Sequence, residues 1–229
     1  MPAGWRVRGR ARAQQLRAVK ISIALALLLQ AGGQGRAAGA APVLLADYPF
    51  NLSLESVVPG ALSLVHLGTN HFSQEVVDGQ SRTVLEFGRN DGLALPATGL
   101  LDAPEGYTLV LLFRFEEVFG RRRILDFKQA TSDTGLYSAE GVLTFHDQAA
   151  GPAATIGAGP YVQVVLTRGA DRWVSGYVDG VWQFSFFDVS GLALPISGVA
   201  LRLFRDEDPV SSGEASAGAV ARLRVYRGS

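Results

Sequence analysis

Apolar residues along this chain fall in short runs of roughly 4–8 residues, and the breaks between them are rich in Gly, Asp, Asn, Pro and Ser. That punctuation suits turns between strands. From residue 42 onward the pattern predicts strands over 43–50, 62–66, 72–77, 83–87, 93–95, 107–115, 123–127, 136–138, 142–146, 154–156, 162–167, 172–178, 182–187, 201–204 and 220–226. No window holds a sustained helical stripe of apolar positions; one short turn near Leu101 to Glu105 is the nearest approach. Alternation sharpens the picture. Over 219–226, Val220, Arg222, Arg224 and Tyr226 oppose Ala221, Leu223 and Val225, so one face meets a core and the other meets solvent. Residues 107–113 are apolar on both faces, as a central strand would be. Many short strands without helices to cover a parallel sheet predict an all-β fold, an antiparallel two-sheet sandwich.

The sharpest local signal is Asp179-Gly180 between two strand-like runs. A two-residue type I′ turn needs φ > 0 at both central positions, which Asp tolerates and Gly takes without steric cost. Tyr177-Val178 then fall opposite Val181-Trp182 as cross-strand pairs. On the same hairpin Trp173, Ser175 and Tyr177 share one face.

Residues 1–41 read as a secretory leader rather than fold. Arg6, Arg8, Arg10, Arg12, Arg17 and Lys20 precede a short apolar run over 21–29, and Ala38-Gly39-Ala40 precedes a cut at Ala41. The run ends at Gln30, short of the roughly 20 apolar residues a spanning helix needs, so no stable membrane insertion is expected after cleavage. Removal changes the charge: fourteen bases then face 21 acids, and the formal charge moves from zero to −7. A net-acidic domain is a poor partner for nucleic acid. With no cysteine, cross-links contribute nothing. Residues 42–229 are expected to form one extracellular or periplasmic domain.

The order of Tyr48-Pro49-Phe50, the runs at 107–115 and 124–127, Asp133-Thr134-Gly135-Leu136-Tyr137, the strand at 162–167, the 177–181 hairpin and the closing strand 218–226 resembles the laminin-G-like members of the concanavalin A-like lectin/glucanase superfamily. The resemblance covers most of residues 43–227. It implies a jelly roll of two curved antiparallel sheets with about 12–14 strands, binding or adhesion rather than catalysis, sugars as the commonest ligands, and calcium held by loop carboxylates. One position departs. The acidic residue usual in the family's last strand is here Ala221, followed by Arg222.

Catalysis is not expected. Retaining glycosidases need two carboxyls about 5–5.5 Å apart, which alternate residues on one strand provide. Glu116 and Glu117 are adjacent and would point to opposite sides; Asp206 and Asp208 lie in a stretch that reads as loop. His66, His71 and His146 are scattered, and no nucleophile elbow marks a serine.

Asp206, Asp208 and Glu214 form an oxygen-only set suited to Ca²⁺, against the plain reading of a solvated acidic turn. Asp126 is expected to pair with Arg123 or Lys128, and Asp133 to cap its own turn. Of Arg121, Arg122 and Arg123 only two can share a face, and protection of an edge strand explains them best. Trp173, Tyr177, Tyr137 and Asp133 are the predicted ligand-binding residues, since sugars stack on exposed rings. The Asn51-Leu52-Ser53 sequon matters only in a eukaryotic secretory route. The sequence thus predicts a secreted non-catalytic module whose partner is a glycan or an extracellular protein surface. The alternatives are a protein-interaction module without a sugar site and a divergent glycoside hydrolase or lyase.

Overall fold

The computed structural model describes residues 41–97, 99–206 and 213–229. The leader expected over residues 1–41 lies outside them, Ala41 apart. Fifteen strands follow in order: β1 (Val43–Tyr48), β2 (Val65–Leu67), β3 (Asn70–Val77), β4 (Gln80–Phe87), β5 (Gly92–Leu95), β6 (Gly106–Phe115), β7 (Arg121–Asp126), β8 (Gly135–Ala139), β9 (Val142–Phe145), β10 (Ala149–Ala150), β11 (Val162–Gly169), β12 (Trp173–Val178), β13 (Val181–Phe187), β14 (Leu201–Leu203) and β15 (Gly218–Arg227). One sheet runs β13-β12-β11-β6-β15-β4-β3 with β1 joined to β15; the other runs β10-β9-β8-β7-β14-β5-β2. Every pair of named strands is antiparallel. The fold is the all-β jelly-roll sandwich that the alternation predicts. No helix among the described residues is long and apolar enough to cross a membrane.

Period-2 alternation builds the core. On β6, Tyr107, Leu109, Leu111, Phe113 and Phe115 all turn inward and are fully buried. They meet an aromatic knot in which Phe87 stacks on Phe204 at 4.4 Å and Phe115 stands edge-on to both. Each such ring removed from water contributes about 1.5–3 kcal/mol.

Two-residue turns set the registers. Asp179 and Gly180 have φ of 48° and 78°, and Val178 pairs with Val181 and Tyr177 with Trp182, as the Asp-Gly signal predicts. Asp78-Gly79 and Glu140-Gly141 repeat the device, with φ of 52° and 78°, and 51° and 81°. Their partners, Val77 with Gln80 and Ala139 with Val142, close the hairpins β3–β4 and β8–β9.

Three expectations need correction. A bulge between Val220 and Arg222 breaks the alternation of β15. Val220 therefore joins Leu223 and Val225 in the main core, while Ala221 packs on the opposite face with Val77, Val84 and Ala219. An inserted residue shifts every later side chain to the other face. Residues 154–156 are not a strand, although Thr155 and Ile156 both donate their N–H to the Gly141 carbonyl. And β7 is no edge: it lies between β8 and β14, so edge protection does not explain its arginines.

Candidate functional site

The hairpin of β12 and β13 carries one candidate surface. Val174 and Val178 point into the core, so Trp173, Ser175 and Tyr177 lie on the outer face. Opposite them stand Phe187, Ser185 and Trp182 respectively. Trp182 and Ser185 are three residues apart and would ordinarily face opposite ways. A register shift between Gly176 and Tyr177 leaves Gln183 as the extra residue of β13, turned into the protein at 2% exposure. The bulge thus gathers Trp182, Ser185 and Phe187 on the outer face. Gly176 is required beneath it, because a Cβ there would come within 2.6 Å of the Phe184 ring.

The outcome is a platform. Trp173 is 47%, Phe187 48% and Trp182 55% exposed, with Trp173 and Phe187 centroids 5.7 Å apart and tilted by 59°. Ser175 and Ser185 share a hydrogen bond of 2.7 Å at its centre, and the Trp182 indole N–H donates to Ser185 Oγ at 2.9 Å. Tyr177 is half-buried beside Trp182. Rings with a hydroxyl pair between them can offer stacking and hydrogen bonding together.

The second assembly gathers residues the sequence scatters. Arg123 lies opposite Tyr137 across β7–β8, its guanidinium carbon 4.8 Å from the ring centroid. The Arg123 side chain is wholly buried, and its Nη2 stands 3.4 Å from oxygens of Asp133, Asp206 and Glu214 alike. Its Nη1 faces Asp126 Oδ1 at 3.8 Å. Arg121, on the same face, pairs with Glu214, lies 3.7 Å from Asp133 and donates to His146 Nδ1 at 2.8 Å. Arg122 points away and bonds the Gly213 carbonyl; two of the three arginines share a face, as strand geometry requires.

Asp206 accepts the Glu214 N–H at 2.9 Å, and its own N–H reaches Asn90 Oδ1 at 2.9 Å. Asp126 pairs with Arg123, while its two oxygens accept the N–H groups of Lys128 and Ala130. Burial pushes the Tyr137 hydroxyl well above the ordinary phenol range, with Arg123 pulling the other way.

The predicted residues therefore divide. Trp173 and Tyr177 lie on the outer platform. Tyr137, Asp133, Asp206 and Glu214 converge on Arg123, where Tyr137 is fully buried and its face is covered by a guanidinium. Asp208 lies outside the described residues. Asp206 and Glu214 are turned to arginines, and no group of three or more His, Asp or Glu among the described residues is arranged to hold a metal ion. Sequence reasoning missed Phe187, whose outward turn depends on the bulge. The remaining candidates for acid–base chemistry stay apart. Glu117 pairs with Arg89 and Arg122, His66 meets Asn70 at 3.2 Å, and His71 meets Glu86 at 3.2 Å.

No family model matches the chain, and no curated protein matches it. Solved structures share its fold. Domain 4 of AbnA, a GH43 extracellular arabinanase from Geobacillus stearothermophilus solved with arabinotriose, aligns at a TM-score of 0.60 and 15% identity, over 82% of this chain and 93% of that one. The binding domain of Paraclostridial Mosquitocidal Protein 1 aligns at 0.58 and 8% identity, over 82% and 49%. Botulinum neurotoxin type C, whose cell entry depends on interaction with two ganglioside molecules, aligns at 0.54 and 9% identity, over 81% and 48%. This chain spans about half of each toxin chain it matches. At these identities the likeness establishes the sandwich and nothing finer.

Proposed function

We propose that this chain is a secreted, non-catalytic, laminin-G-like module that binds a glycan on the outer face of β12 and β13. One observation carries the reading: Trp173, Trp182 and Phe187 stand about half exposed around the Ser175–Ser185 hydroxyl pair. Large rings usually supply core area, and leaving three in water on one hairpin forgoes that stabilisation. A pyranose recovers it by laying its C–H face on an indole while its hydroxyls reach the serines. Scaffolds of this kind in proteins that meet arabinotriose or gangliosides are consistent with the role, as analogy.

A glycan array probed with purified residues 42–229 tests the proposal. Retention of a defined set of saccharides, lost in Trp173→Ala at unchanged melting temperature, is expected. Retention of none, or a Trp173→Ala variant that binds as well as the parent, rejects it.

A protein surface is the second reading, favoured by Val181 and Val189 at 63% and 68% exposure. Exposed apolar side chains apart from the rings are area that a protein partner can cover. Under that reading the array stays blank, and Val181→Asp abolishes capture of the protein partner.

A further inference from the structure

Trp173 opens β12 and Phe187 closes β13, so these two rings form the terminal pair of their hairpin. β13 is also the last strand of its sheet. At the other end the Asp179-Gly180 turn beside Trp182 holds the strands together. The open end of an edge strand is where a ladder frays. Just outside the ring pair the chain carries a bolt: the Asp188 N–H donates to the Arg172 carbonyl at 2.9 Å.

The Asp188 side chain is locked from inside. At 1% exposure its carboxylate accepts the Arg168 Nε–H at 2.9 Å, the Leu192 N–H at 2.6 Å and the Ala193 N–H at 3.3 Å. Arg168 is itself 9% exposed and sits on β11, opposite Tyr107 of β6 and Val174 of β12. The edge strand is thus held from two strands further in. The segment after Asp188 is clamped as well. The Tyr107 hydroxyl donates to the Ala193 carbonyl, and Lys128, the only lysine after residue 41, donates to the Gly191 and Leu194 carbonyls at 3.0 and 2.9 Å. On the Trp173 side, the Arg172 N–H returns to the Gly169 carbonyl at 2.9 Å and the Trp173 N–H reaches Asp171 Oδ1 at 3.3 Å.

A buried ion pair is a poor way to gain stability, since apolar side chains of similar volume often do as well or better. What a charged pair with directed hydrogen bonds supplies is a single orientation. Here that orientation lies directly behind the rings. Trp173 and Phe187, each about half exposed, meet at 5.7 Å with their planes 59° apart. A fraying strand end would not hold two solvated rings at one angle.

We infer that Arg168 and Asp188 are positioning residues of the platform: the buried pair bolts the end of β13 and so fixes the Trp173–Phe187 angle on which a pyranose is taken. The saccharide is that of the reading above, on which this role rests; the ring geometry itself needs no ligand. Preorganised rings spare the bound state the cost of ordering them.

NOE contacts between the Trp173 indole and the Phe187 ring, with hydrogen exchange at the Asp188 amide, test this in ligand-free residues 42–229. The Arg168→Met/Asp188→Asn double variant leaves neither charge buried alone, and its asparagine can still accept the Leu192 N–H. Loss of the ring contacts and exchange at least about tenfold faster at position 188 are expected, with the Trp182 indole resonance unmoved. Lys128→Met, at a half-buried side chain, loosens the same segment and should show both changes in smaller degree, so a double variant that fails to fold does not end the test. Calorimetry with the saccharide retained best on the array should show affinity about tenfold lower in the double variant. Adding Trp173→Ala to it should cost little more, since both act through one ring pair. Ring contacts unchanged in the folded variants, order lost equally at Trp182, or affinity losses that simply add would each overturn the inference. A blank array rejects the saccharide reading alone, and the ring contacts then decide this one.

Discussion

Arg123 Nη2 and Asp206 Oδ1 lie 3.4 Å apart, with the two side chains 0% and 4% exposed. Arg123 belongs to β7 and Asp206 follows β14, so the contact ties neighbouring strands of the smaller sheet to the segment that returns at Glu214. A buried guanidinium is tolerable because four carboxylates face it. The arrangement is a clasp.

Breaking that clasp from the cationic side should be severe. Arg123→Met leaves Asp206 buried beside other carboxylates without its counter-charge, at a cost of about 3–5 kcal/mol. Asp133→Asn, at a side chain 40% exposed, should cost under about 1 kcal/mol. Chemical denaturation of both variants measures the difference. Equal, small losses would mean that the clasp does not stabilise the fold.

Acid should loosen the larger sheet. Hydrogen bonds from Arg114 hold the Glu75 carboxyl below its ordinary range despite burial, with Tyr161 assisting. At Asp47 burial pushes upward, but Arg222 and Arg224 outweigh it and the net shift is down. A carboxyl depressed on folding binds fewer protons in the native state, so its stabilisation is complete above the unfolded value, near pH 4, and is lost as pH falls through the folded value. Melting temperature should therefore fall steadily below about pH 5. Glu75→Gln should melt lower at neutral pH and show a shallower acid slope; an unchanged slope would refute the assignment.

Calcium should have little effect. Asp206 and Glu214 already answer to Arg123 and Arg121, so neither of these two carboxylates is left uncommitted for the ion. The expected result is the same melting temperature in millimolar Ca²⁺ and in chelator. A rise with Ca²⁺ would show a site completed by residues such as Asp208, by the linkage of binding to stability.

The hairpins and sheet faces were legible because their signals are local. Asp179-Gly180 announces its turn, and Leu109, Leu111 and Phe113 announce a core face. Bulges were not legible. Ala221 and Gln183 each insert a residue that period-2 reading cannot detect, and each redirects side chains that matter, Val220 into the main core and Phe187 onto the platform. Sheet order was equally hidden. Arg121 and Arg123 look like an exposed basic run until β8 and β14 flank them, and Asp133, Asp206 and Glu214 meet only through non-local pairing. The shared outer face of Trp173, Ser175 and Tyr177 was legible because they alternate on one uninterrupted strand.

The account depends on saccharide recognition by the exposed rings of β12 and β13. The most direct test is calorimetric titration of residues 42–229, and of the Trp173→Ala/Trp182→Ala double variant, with the saccharide retained best on the array. Saturable binding by the parent and a loss of at least about tenfold in the folded double variant, in keeping with two lost apolar contacts, are predicted. Undiminished affinity after both indoles are removed would contradict the account.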